Sequence, residues 1–148
     1  MTEGCICWVV ALLPEAKPLI ERLKMKLVST NSLHPIYTNE TETDWLVLSG
    51  VGQLNAASGT ASLYHVCPKS NWSIWVNIGI AGGIIGDVGD LFYINSICQA
   101  STNKMCYPFI FPYVKIKRAN LITCESPEKK YGKDCLFDME AWSFYKIL

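Results

Sequence analysis

Residues 5–13, CICWVVALL, form an unbroken apolar run. A short, continuous run of this kind predicts a strand buried on both faces, as in a parallel sheet. After Pro14, apolar side chains recur at Ala16, Leu19, Ile20, Leu23 and Leu27 with charges between them, the spacing of one helix face. Pro18 inside that pattern leaves the helix start open by about one turn. LHPIYT and DWLVLSG predict two short strands around the polar turn NETETD, and Pro35 suits the first of them to a sheet edge. GVGQLNAASGTASLYHVCP opens on glycines, continues as a helix of small residues and stops at Pro68. SIWVNIG is the next buried strand, IAGGIIGDVGD a glycine-dense loop, and LFYINSICQ another strand. From Ala100 to Arg118 proline, aromatic and basic residues replace any regular period, which predicts a long loop. NLITC reads as a short strand, ESPEKKYGKD as a polar loop, and residues 137–148 as a helix. On a helix beginning near Asp138, Phe137, Ala141, Phe144, Tyr145 and Leu148 share one side. Strands alternating with helices at this spacing define an α/β domain with a largely parallel sheet.

Composition narrows the functions open to such a domain. The 148 residues are enough for one domain, and with half of them hydrophobic and 18% charged they are ample for a packed core. The net charge is zero, which excludes the electrostatic footprint of a nucleic-acid or membrane-surface binder. Lys115, Lys117 and Arg118 read as a solvated loop or edge. The seven cysteines are odd in number and irregularly spaced. Cys5 and Cys7 form a C-x-C on the first strand, no C-x-x-C exists, and His34 and His65 are not placed to complete a zinc set. Buried, reduced thiols in a cytoplasmic protein are the expectation, with neither metal nor cofactor. The N-terminal apolar run follows Glu3, is too short to span a bilayer, and lacks a signal peptide's basic start. The sequons at Asn39 and Asn71 therefore carry no weight.

Three segments have the residue types for binding chemistry. In SGVGQLNAASG, glycines between a strand and a helix let backbone N–H groups approach an anion; alone, the small residues are better explained by close helix–sheet packing. NIGIAGGIIGDVGD is more specific, a turn whose backbone lines something, with Asp87 and Asp90 as turn caps. Asp138 is suited to cap the last helix, and Glu140 in its first turn complements the helix dipole. All three segments fall at the same edge of a parallel sheet, where α/β proteins bind ligands.

In this order, ALLPEA, GVGQLNAA, VNIGIAGGI…VGD and DMEA resemble the purine nucleoside phosphorylase and nucleosidase superfamily, above all the nucleosidases of methylthioadenosine, adenosylhomocysteine and futalosine. The resemblance implies a three-layer α-β-α fold around a mixed, largely parallel central sheet. It also implies a site for a small-molecule purine nucleoside, needing no cofactor, and it admits a homo-oligomer. Glu140 takes the place of the acid that binds the ribose hydroxyls, with Met139 against the sugar. Glu15 takes that of the glutamate that orients the attacking water. Gly52, Ile80, Ala81 and Gly82 would line the pocket. Phosphorylases of the superfamily often hold phosphate with an arginine where this chain has Asn77, so hydrolysis is favoured over phosphorolysis. Ile80 replaces a small hydroxyl residue, and the segment between Cys106 and Tyr131 is short for one that covers the base. The superfamily continues past the DME helix into a strand ending in the aspartate that protonates the departing purine. The expectation for residues 1–148 is therefore a single domain incomplete at its C-terminus, without the last strand and helix and impaired in catalysis. The alternatives are a non-catalytic module binding a nucleoside or a protein, a decayed gene product, or a phosphorylase.

Overall fold

A computed structural model of the chain describes residues 4–29, 33–68, 72–111, 113, 115–131 and 134–148; the sequon at Asn71 lies outside them. The first apolar run forms β1 (Cys5–Val10). It is sandwiched between two parallel neighbours, β4 (Asp44–Leu48) and β5 (Ser73–Asn77), with Ile6 opposite both Asp44 and Ile74. Cys5, Cys7, Val9 and Val10 are buried and Ile6 and Trp8 half-buried, so both faces of this central strand are at least partly covered, which fits an apolar run that does not alternate. Beyond β4 lie β3 (Ile36–Thr38), antiparallel to β4, and then β2 (Lys26–Ser29), antiparallel to β3.

Two expectations are corrected here. α1 (Leu13–Arg22) stops before Leu27, because Lys24 enters the left-handed region at φ +52° and turns the chain into the edge strand β2. β3 is consequently not an edge. Pro35 is tolerated because it precedes the first paired residue and contributes only its carbonyl, which accepts the Leu48 N–H at 3.0 Å.

The second half of the chain forms its own five-stranded sheet from β6 (Gly82–Gly83), β7 (Phe92–Gln99), β8 (Met105–Cys106), β9 (Lys117–Thr123) and β10 (Leu136–Asp138). Its order is β6-β10-β9-β7-β8, with β7, β9 and β10 parallel and the outer two antiparallel. The fold is mixed α/β, as expected, with its strands in two ladders of five. β9 starts earlier than NLITC suggested, and Lys117, exposed at its head as a solvated position should be, pairs with Asp90 at 2.6 Å. β8 is the short paired piece inside the stretch expected to be irregular.

The end of the chain differs most. Leu136, Phe137 and Asp138 are a strand, in register with Leu121, Ile122 and Thr123 of β9. α3 (Ala141–Ile147) begins only after them and buries Ala141, Trp142 and Phe144, while Leu148 is exposed. A helical face and a strand of three residues are indistinguishable over so short an apolar stretch. α2 (Gln53–Val66) packs against α3 and against β4 through Ala56, Gly59, Thr60 and Leu63. A Cβ on Gly59 would stand 2.7 Å from the Cβ of Ser49, so the small residues of this helix do serve close packing. No helix among the described residues is long and apolar enough to cross a membrane.

Candidate active site

β1, β4 and β5 are parallel and end together, so the segments that follow them converge. Glu15 sits in the first turn of α1, where its Oε2 accepts the Leu12 N–H at 3.0 Å and complements the helix dipole. Its Oε1 reaches across to the loop after β5 and accepts the Ile80 N–H, also at 3.0 Å. One carboxylate thus ties the loop after β1 to the loop after β5.

Glu140 does the same for more distant segments. Gly52, the residue before α2, has φ +97° and ψ 162°, a conformation open to glycine alone, and this aims its N–H at Glu140 Oε1, 2.7 Å away. Glu140 Oε2 accepts the Met139 N–H at 3.2 Å. Burial raises the Glu140 carboxyl above its usual range, and the charges of Asp138 and Glu15 push the same way against the two N–H bonds.

Asp138 caps α3 from two residues before the helix boundary. Its Oδ2 accepts the N–H groups of Ala141 at 2.7 Å and Glu140 at 3.1 Å, and its Oδ1 accepts the Thr123 hydroxyl at 2.7 Å. Burial outweighs these bonds and raises its carboxyl too. Glu140 is therefore not a first-turn acid. It stands at the boundary with its side chain turned away towards Gly52.

The remaining site candidates are placed as follows. The side chain of Ile80 is 81% exposed, and only its backbone joins the site. Ala81 packs against the core of the second sheet. Gly82 pairs with Phe137, and the Tyr131 hydroxyl occupies the position its Cβ would take, with the Tyr131 ring 5.4 Å from that of Phe137. Met139 is half-buried, and Asn77 ends β5. A cavity of about 360 Å³ opens over the ends of β1 and β4, lined among others by Leu12, His34, Ser49, Gly50 and Asn55. A second, of about 340 Å³, lies over the ends of β7 and β9, against Cys98, Ile122, Cys124, Glu128 and Phe137. Neither is lined by Glu15 or Glu140, whose carboxylates are folded back onto backbone N–H groups.

Three contributors escaped the sequence reading. Thr123 donates to Asp138 and accepts the Trp142 N–H at 3.1 Å, locking the DME turn to β9. Gln53 Oε1 accepts the Ser143 hydroxyl at 3.2 Å and so holds the start of α2 against α3. Tyr131 covers Gly82. The only signal for Thr123 is its register opposite Asp138, which is legible once β9 and β10 are known to pair. No metal-ligating set forms at the site among the described residues.

No protein-family model matches the chain, and no curated protein matches it. Solved structures do. The 5′-methylthioadenosine nucleosidase of Arabidopsis thaliana superposes with a TM-score of 0.82 at 18% identity, over 99% of this chain and 75% of that one. The 5′-methylthioadenosine/S-adenosylhomocysteine nucleosidase of Colwellia psychrerythraea, in complex with adenine, gives 0.78 at 16%, over 99% and 76%. The S-adenosylhomocysteine nucleosidase of Streptococcus pyogenes, in complex with 5-methylthiotubericidin, gives 0.72 at 16%, over 99% and 78%. The chain has the nucleoside phosphorylase-type fold. Within that fold its likeness is to methylthioadenosine/adenosylhomocysteine nucleosidases.

Proposed function

We propose that the chain carries a nucleosidase-type site that binds a purine nucleoside through its ribose, with Glu140 as the acceptor for the ribose hydroxyls and Glu15 as the holder of the attacking water. The carrying observation is the Glu140–Gly52 contact at 2.7 Å, which fixes one edge of the carboxylate on backbone. A carboxylate has about four acceptor positions, and with Gly52 and Met139 using two, two remain for a vicinal diol. Glu15 is held in the same way by Leu12 and Ile80 and keeps acceptor capacity for a water. In cleavage of an N-glycosidic bond the sugar becomes oxocarbenium-like, so two nearby anions and fixed hydrogen bonds to ribose lower the barrier. A positioned carboxylate also serves as the base for water. The bound adenine and nucleoside analogue in the Colwellia and Streptococcus structures support a purine ligand here. Asn77 in place of an anion-holding arginine, with Glu15 close by, supports hydrolysis over phosphorolysis.

The test is calorimetry with 5′-methylthioadenosine and adenine. The nucleoside should bind at least about tenfold more tightly than the base, since charge-assisted bonds to hydroxyls are worth about 1.5–3 kcal/mol, and Glu140→Ala should remove the difference. Equal binding of nucleoside and base by the unaltered chain would refute the ribose role.

A further inference from the structure

At the other end of β1, away from this site, the C-x-C side chains share one face of the strand. The fold brings a third thiol to them. Cys67 follows the last residue of α2, its N–H bonded to the Leu63 carbonyl at 2.8 Å, and its Sγ lies 3.3 Å from both Cys5 Sγ and Cys7 Sγ. The Cys5 and Cys7 sulfurs are 3.9 Å apart. Three thiols so close, contributed from opposite ends of a helix–strand unit, are more than the packing of small apolar side chains requires. The surroundings are Val9, Trp45, Val47, Leu63 and Phe144, which keep water away, while the half-buried Cys67 leaves a way in.

We propose that Cys5, Cys7 and Cys67 form a three-sulfur site for a soft monovalent metal ion, of which Cu(I) is the biological example. The geometry suits a three-coordinate ion. Metal–sulfur bonds of about 2.3 Å require sulfurs roughly 3.8–4.0 Å apart, so one edge already fits and two must open by about half an ångström. A structural zinc ion demands four ligands, and these three thiols are the only such group among the described residues. Thiolate ligands select Cu(I) where hard donors are missing. On loading, three S–H bonds break, three Cu–S bonds form and three protons pass to solvent, with no electron transferred. Burial holds the Cys7 thiol far above its usual range and Cys67 at about 11, so both are tolerated as neutral thiols in an apolar core.

The site is tested by anaerobic titration of the reduced chain with Cu(I) buffered by a chromophoric chelator. The unaltered chain and a C98S/C124S double variant, altered only in the second sheet, should each withdraw one tightly held equivalent. X-ray absorption at the copper edge should count three sulfur neighbours. C67S should lose affinity by at least about 100-fold, the upper end of what even outer-sphere changes cost a metal site. If C67S fails to fold by circular dichroism, the sulfur count on the C98S/C124S protein decides alone. Retention of parental affinity by folded C67S, a count of two sulfurs, no withdrawal of copper from the chelator, or preferential uptake of Zn(II) with a nitrogen or oxygen ligand would each overturn the assignment.

Discussion

At Glu140 two segments separated by most of the chain meet on one carboxylate, and its protonation becomes a property of the fold. Its carboxyl is raised chiefly by burial, with Asp138 and Glu15 adding to the effect. The sign follows from linkage. A carboxyl with a raised folded pKa binds more protons folded than unfolded, so its contribution to stability is largest below the unfolded value and is lost as pH rises through the folded value. Ribose hydroxyls donate to the ionised form, so nucleoside affinity should run the other way and rise over the same window. We expect affinity for a purine nucleoside to fall on acidification at a pH above the ordinary glutamate range, and Glu140→Gln to flatten the profile. A profile flat down to the ordinary range would contradict the burial at Glu140. Both acids of the proposed site were singled out in the sequence by the family resemblance. Thr123 and Tyr131 were not, since a threonine or tyrosine acquires its role only from the segment it is folded against.

Among the elements, α2 shows how a binding reading and a packing reading of one stretch divide. Gly52, at its start, donates its N–H to Glu140, whereas Gly59, in its second turn, serves contact with Ser49 on the strand side. Gly59→Ala should therefore destabilise the fold. Overpacking costs about 1–3 kcal/mol, and the better helix propensity of alanine returns at most about 1 kcal/mol of it. Thermal unfolding is the measure, and a rise in Tm would mean that α2 has room to move off β4. The apolar runs of β1, β5 and β7 and the glycine-led run of small residues in α2 were all visible in the sequence. β2 and β10 were not, because each is a short stretch continuing or preceding a helical pattern, and only pairing with a distant strand decides it.

For the whole molecule, the proposed division of labour assigns no group to protonating the departing base. Purine departure requires protonation of the base, yet Glu15 is assigned to water, Glu140 to ribose, Asp138 to the start of α3, and Asp90 pairs with Lys117. Lack of a general acid costs about 10²–10⁴-fold, so under these assignments the chain should bind a nucleoside while releasing its base at least about 100-fold more slowly than an enzyme that has one. Sustained release, abolished by Glu15→Gln, would reveal a donor outside these assignments. The fold itself emerged from four motifs in order, each weak alone, because their order places them at one sheet edge. What most directly tests the central claim is the loss of the diol from the ligand instead of the acid from the protein. A purine nucleoside and its 2′,3′-dideoxy analogue should differ at least about tenfold in affinity for the unaltered chain, by the worth of charge-assisted bonds, and by little for Glu140→Ala. Equal affinity of the two ligands for the unaltered chain, or a difference that survives Glu140→Ala, would contradict the account.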